Sequence, residues 1–150
     1  MEASSNVSIL KDDQLRDLLV QASLEWERRF AVAPQITADV AEYDAARLRV
    51  GKGRRKSDTA VTKGVDFKKG NILYQVKSNR PSGKPGSKVT LVRKATNFNW
   101  DRLVWILYDR EYDIEEAWEF DRDEYREFFQ SKKRLSPEDM RKGRRLYQIR

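Results

Sequence analysis

One nearly continuous apolar run constrains the fold more than any other segment. It covers residues 103–108, Leu-Val-Trp-Ile-Leu-Tyr, and charged residues bound it. Such a pattern is typical of a central strand that is buried on both faces. Ile114 to Phe120 alternates more weakly and predicts a neighbouring strand. We therefore expect an α/β domain with a central mixed sheet, flanked by the helices described next.

Helical periodicity appears on both sides of this run. Asp12 to Phe30 predicts an amphipathic helix, and a second helix is expected from Thr37 to Leu48, ended by glycines 51 and 53. Residues 121–132 predict a helix after the sheet, and Ser136 is placed to cap another. Residues 89–92 fit either a short strand or a helix start.

Composition excludes several classes of enzyme. The 150 residues, which fit one domain, contain no cysteine and no histidine, so a disulfide scaffold, a zinc hydrolase site and histidine-based catalysis are all excluded. No run approaches a membrane-spanning length, and Met1 to Ser5 lack the plan of a signal peptide. We expect a cytoplasmic protein whose chemistry, if any, uses carboxylates, amides, lysines or hydroxyls.

Charge is segregated along the chain. Residues 47–94 hold 15 Lys and Arg against two acids, a net charge of +13, whereas residues 1–46 carry −5. The acids in the basic block are Asp58 and Asp66. A basic region of this kind indicates a surface for a polyanion, although it also fits a solvated basic face.

A hairpin within the basic block brings polar side chains together. We predict it over residues 64–79, with a Lys69-Gly70 turn that places Asp66 opposite Leu73. Strand side chains alternate between faces, and paired residues share a face. Asp66, Gln75 and Lys77 are therefore expected on one face.

This arrangement resembles the core of the PD-(D/E)xK nuclease superfamily, whose fold is restriction endonuclease-like. The match covers about residues 38–120: a helix with an acid, a strand with Asp66, a strand with Gln75-x-Lys77, then helix, strand, strand. The resemblance places Gln75 at the second acidic position and matches Glu42 to a helical glutamate of many members. It implies a single nuclease-like domain, residues 1–150, that acts as a metal-dependent DNA endonuclease in restriction or repair.

The same residues suit phosphodiester hydrolysis on physical grounds. Oxygen ligands hold Mg²⁺, or Mn²⁺ as its substitute, and in the expected site Asp66, Gln75 and the carbonyl of Val76 supply them. Lys77 would orient or deprotonate the attacking water. Glu42 would act through the metal or one of its waters. The amide of Gln75 removes one negative charge from the site.

Two basic loops flank the hairpin, over residues 52–63 and 80–88. Cations there suit phosphate contacts, which provide affinity without reading sequence. Ser78 and Asn79 either contact a phosphate or end the strand. The predicted DNA-contacting residues are Arg54, Arg55, Lys56, Ser78, Asn79, Arg80, Lys84 and Lys88.

Other functions stay open on the sequence. The chain would be a catalytically inactive nucleic-acid-binding module if Gln75 marks lost chemistry, and an interaction module if its acidic segment 101–127 binds a protein partner. A homodimer would supply two sites for cutting both strands. Its candidate interfaces are the N-terminal helix with Trp26 and Phe30, or the C-terminal helices.

Overall fold

Two units make up the chain, Met1–Ile36 and Thr37–Arg150. The structure, a computed structural model, describes residues 6–60 and 62–147, so Met1 to Ser5, which were compared with a signal peptide above, lie outside the described residues. Within the described ranges no helix combines the length and apolar character needed to cross a bilayer.

Helix α1 forms most of the first unit and spans Asp12–Phe30, which confirms the predicted bounds. It ends at Ala31, whose φ of 59° is left-handed. Trp26 and Phe30, a candidate dimer surface, are each about half exposed and lie with ring centroids 4.6 Å apart.

Five strands form one mixed sheet in the second unit, in the order β1-β2-β3-β4-β5. Strands β2 and β3 are parallel, and every other neighbouring pair is antiparallel. The strands are β1 Phe67–Lys69, β2 Ile72–Asn79, β3 Arg102–Tyr108, β4 Ile114–Asp121 and β5 Arg144–Leu146.

Strand β3 is buried on both faces, as its apolar sequence predicts. Residues 103–108 are all buried, and most are fully inaccessible. We call the side of the sheet that carries Gln75, Lys77 and Trp105 the front face, and the side that carries Tyr74 and Val104 the back face. Because neither face of β3 meets water, both must be covered.

Helix α2, Thr37–Val50, covers the back face. Its residues Ala41 and Ala45 are fully buried, and Asp44 accepts a 2.6 Å hydrogen bond from the hydroxyl of Tyr108 on β3. Small residues on one side of the helix allow this close approach to the sheet.

The front face is covered from the C-terminal half of the chain. Helix α3 spans Arg122–Phe129, and helix α4 spans Pro137–Met140. The side chain of Ser136 caps α4, as the sequence predicts. The front-face core joins residues of β3, β4 and these two helices to Trp100 and the segment before it. A mixed sheet flanked by helices, and hence the α/β class, is therefore confirmed.

Two predicted connections are wrong. The hairpin turns at Gly70-Asn71 rather than at Lys69-Gly70, because Lys69 pairs with Ile72 across a two-residue loop whose first position needs the positive φ that Gly70 adopts, 59°. The chain between β2 and β3, residues 80–101, contains no helix. Of the segment 89–92, only Val92 is paired, in an isolated bridge with Leu135.

Glu119 on β4 is a fully buried carboxylate surrounded by arginines. Arg49 of α2 lies 2.9 Å from it, Arg144 of β5 lies 3.5 Å away, and Arg102 of β3 lies 3.9 Å away. Buried charge is costly unless it is paired, so these cations compensate for the loss of water around Glu119. The ion pairs also connect α2, β3, β4 and β5.

Replacing this carboxylate tests its structural role. We expect Glu119→Gln to lower the free energy of unfolding by about 2 kcal/mol, because it leaves the three arginines facing a neutral amide in a buried setting. Urea denaturation measures the loss. Glu116→Gln is the matched control: Glu116 also lies on β4 and pairs with Arg141 at 2.7 Å, but near the surface, so it should cost about 0–1 kcal/mol. Equal losses in both variants would contradict the proposed role of Glu119.

Candidate functional site

Asp66 lies just before β1, against the edge of β2. Its backbone N–H donates to the carbonyl of Tyr74 at 2.8 Å, and its carboxylate accepts a 2.7 Å hydrogen bond from the N–H of Val76. The side chain of Asn99 donates to the carbonyl of Lys63 and thereby fixes the segment that precedes Asp66. Backbone contacts on both sides therefore fix the carboxylate at the sheet edge.

The register of the hairpin differs from the prediction, but the shared face is retained. Leu73 pairs with Lys68 rather than with Asp66. If this register is continued from Lys68 toward the N-terminus by two residues, Asp66 lies opposite Gln75. A shift of two residues preserves parity, so Asp66 still approaches the face that carries Gln75 and Lys77.

Beyond Tyr74, β2 is an open edge on the Asp66 side, since β1 begins only at Phe67, the partner of Tyr74, and no other described strand pairs there. The N–H and C=O of one strand residue point the same way. Because the Val76 N–H points at Asp66, the Val76 carbonyl also faces this edge. The Asp66 carboxylate and the Val76 carbonyl therefore both lie at this edge.

Gln75 carries an unsatisfied oxygen. Its Oε1 is buried, and among the described residues no donor hydrogen-bonds to it. A buried amide oxygen without a partner costs about 1–3 kcal/mol, so it calls for a ligand or an explanation. A cation, or a water held by one, would satisfy it.

Glu42 extends from α2 toward the same site. Burial, followed by the negative charge of Asp66, raises the pKa of Glu42 from 4.5 to about 7. Arg54 acts in the opposite direction and lies 3.5 Å from the Glu42 carboxylate. Its neighbour Gly53 rests against the ring of Tyr43 so closely that an added Cβ would be 1.8 Å from a ring carbon. Only glycine allows this loop to approach α2 and bring Arg54 to Glu42.

Burial also shifts the pKa values of the charged residues at the sheet edge. It raises the pKa of the half-buried Asp66, although the Val76 N–H and the charges of Lys77 and Arg54 oppose the shift. Burial lowers the pKa of Lys77, an effect that Arg93 reinforces and Asp66 opposes. These interactions place Glu42 and Lys77 each within electrostatic range of Asp66.

The donors at this edge fit a hard cation only in part. In residues 6–60 and 62–147, no group of three acidic side chains is arranged to hold a metal ion. The candidate ligands are instead the carboxylates of Asp66 and Glu42 and two neutral oxygens, those of Gln75 and Val76. An all-oxygen set suits Mg²⁺, but neutral ligands bind it less tightly than a third carboxylate would.

The predicted DNA-contacting residues fall into two groups. Three of them use their side chains within the protein. Arg54 pairs with Glu42, Asn79 accepts from the indole N–H of Trp105 and donates to the carbonyl of Leu91, and Arg80 bonds to the carbonyl of Arg110 and lies over the ring of Tyr112.

The second group consists of Ser78 and four exposed cations. Ser78 is half-buried on β2 and shares the back face with Tyr74, opposite the face of Lys77. The exposed residues are Arg55, Lys56, Lys84 and Lys88. Arg55 begins a 3-10 helix, Lys56–Asp58, so the loop predicted over 52–63 contains a short ordered turn. Asp58 of that turn pairs with Lys69 of β1 at 2.6 Å.

Sequence reasoning missed two neighbours of the site. Arg54 was expected at a phosphate but lies beside Glu42, and Arg93 was not singled out although it acts on Lys77. Both contacts join residues from separate segments, and no local pattern signals them. Comparison with protein-family models and with curated proteins finds no match to the chain.

The coupling between the acids is directly testable. In an NMR titration, the side-chain carboxyl of Glu42 should titrate near pH 7, and Asp66→Asn should lower its pKa because a nearby negative charge is removed. Asp39→Asn is the matched control. Asp39 lies on the same helix and also raises the pKa of Glu42, but less than Asp66 does. A Glu42 pKa that does not respond to Asp66→Asn would contradict the shared site.

Proposed function

We propose that this protein is a metal-dependent DNA endonuclease with a restriction endonuclease-like core. The observation that carries the proposal is the open edge of β2, where Asp66 accepts from the N–H of Val76 and the adjacent residue Gln75 has a buried side-chain oxygen without a partner. Glu42 and Lys77 lie within electrostatic range of that edge. The supporting features are oxygen ligands, a lysine with a lowered pKa and exposed cations on both flanking loops.

Each residue has a defined part in the proposed reaction. Asp66, with Gln75 and the Val76 carbonyl, would hold Mg²⁺ or Mn²⁺, which polarises the phosphodiester and lowers the pKa of a bound water. Lys77 would orient or deprotonate the attacking water, and burial lowers its pKa. Glu42, with a pKa of about 7, would accept or donate a proton near neutral pH.

The flanking cations would supply affinity for the DNA backbone. Lys56 and Lys84, one on each basic loop, are exposed. Phosphate contacts of this kind depend strongly on salt and carry no direct sequence information. A binding module with the same fold but no catalysis is the alternative, and the loss of an acid at Gln75 is the feature that favours it.

Cleavage of supercoiled plasmid with Mg²⁺ or Mn²⁺ tests the proposal. We expect nicked and linear products from the wild type and none with chelator. Asp66→Ala and Lys77→Ala should each lower the rate by at least about a hundredfold, because each removes a group that acts in the transition state. The matched controls are Asp123→Ala and Lys133→Ala, which remove exposed side chains elsewhere and should leave the rate unchanged.

The plasmid assay distinguishes the endonuclease from the binding module. Tight DNA binding without cleavage in either metal would favour the binding module. Cleavage that survives both Asp66→Ala and Lys77→Ala would show that the active site lies elsewhere.

Restoring an acid at Gln75 tests the metal site independently of activity. Gln75→Glu should tighten Mn²⁺ binding by about tenfold, because a carboxylate adds a formal charge where a neutral oxygen stands. Isothermal calorimetry measures the change, and Gln14→Glu, on exposed α1, is the matched control with no expected effect. An equal response of the two variants would exclude Gln75 from the metal site.

A further inference from the structure

Arg93 is an exposed guanidinium without an acidic partner. It lies between β2 and β3, and none of the described residues forms an ion pair or hydrogen bond with its side chain. The adjacent Lys94 differs, since its ammonium donates to the carbonyls of Gln130 and Lys132 after α3. Of these two neighbouring cations, only Arg93 is available for an external anion.

The backbone on both sides of Arg93 is fixed. Val92 donates to the carbonyl of Leu135 at 2.9 Å, and the N–H of Ala95 donates to the hydroxyl of Tyr125 at 2.9 Å. Both Val92 and Ala95 are buried in the front-face core. Arg93 is therefore an exposed side chain on an ordered segment, which limits the entropy lost when it binds a ligand.

This segment passes beside the candidate site. The side chain of Asn79 on β2 donates to the carbonyl of Leu91 at 3.3 Å. Asn79 and Lys77 are two residues apart and share the front face. The contact brings residues 91–93 near Lys77, and the charge of Arg93 accordingly acts on the Lys77 ammonium.

Arg93 and Lys77 together form a positive subsite. Lys77 also has no acidic side chain within ion-pair distance among the described residues, although the charge of Asp66 acts on it more strongly than that of Arg93. The charge of Asp66 offsets part of the repulsion between the two cations, and an anion bound to Arg93 would offset more of it. The planar guanidinium of arginine matches two oxygens of a phosphate group.

We propose that Arg93 binds the phosphodiester that is attacked at this site, contacting its non-bridging oxygens beside Lys77. The inference rests on the proposed function and adds a substrate-contacting residue to it. Arg93 would hold the phosphate in position and stabilise the charge that develops on its oxygens, without taking part in proton transfer.

Two measurements on Arg93→Ala test this role. For a fluorescently labelled DNA duplex, the slope of log affinity against log salt should fall in magnitude by about 0.9, the value for one lost phosphate contact. Under saturating plasmid, the cleavage rate should fall by about a hundredfold, because the lost contact is made to the reacting group. Arg93→Lys should restore the slope but only part of the rate, since lysine keeps the charge and loses the two-oxygen geometry.

Arg122→Ala is the matched control. Arg122 is an exposed arginine at the start of α3, but its chain neighbours Asp121, Asp123 and Glu124 are acidic and unsuited to a phosphate. This variant should change neither the slope nor the rate. Circular dichroism should show both alanine variants folded, because neither side chain has a partner among the described residues.

The outcomes distinguish this inference from the proposed function. An unchanged salt slope, or an unchanged rate under saturating plasmid, in Arg93→Ala would overturn the role of Arg93 while Asp66→Ala still abolishes cleavage. If the wild type binds DNA without cleaving it, the proposed endonuclease activity fails, and with it the assignment of Arg93 to an attacked phosphate.

Discussion

The buried carboxylate of Glu119 connects the parts of the second unit. Its arginines come from α2, β3 and β5, so the pairing of one charge determines how a helix and three strands meet. Arg49, the partner on α2, also donates to the hydroxyl of Tyr74 on β2 at 3.4 Å. Since α2 carries Glu42, the network that anchors the C-terminal end of the helix also sets the distance from Glu42 to the sheet edge.

Burial at that edge explains both the reactivity of the site and its energetic cost. It disfavours charge on every group, raising the pKa of Glu42 and Asp66 and lowering that of Lys77. For Glu42 the folded-state pKa lies above the unfolded value. Protonated Glu42 therefore contributes stability that is fully present below about pH 4.5 and is lost as the pH rises through about 7. Near neutral pH the fold bears the cost of an ionised carboxylate that the proposed reaction would use.

Much of the fold was predictable because its signals are local. An apolar run indicated the buried strand, and helical spacing indicated the exact bounds of α1. The face shared by Gln75 and Lys77 depends only on parity, so it survived an incorrect turn at Gly70. The absence of a helix over 80–101, and the contacts of Arg54 and Arg93, depend on packing between distant segments. No periodicity encodes such contacts, and single-sequence reasoning could not supply them.

The charge balance of the site indicates how Gln75 is compatible with the proposed reaction. Two carboxylates, Glu42 and Asp66, face three cations, Arg54, Lys77 and Arg93, so the fully ionised cluster has a net positive charge. Such a cluster attracts the negatively charged phosphodiester and disfavours the binding of a free divalent cation. A bound phosphate brings the missing negative charge and additional oxygen ligands. Under the proposed function, DNA would therefore complete the metal site, and the neutral amide at Gln75 would make metal binding depend on substrate.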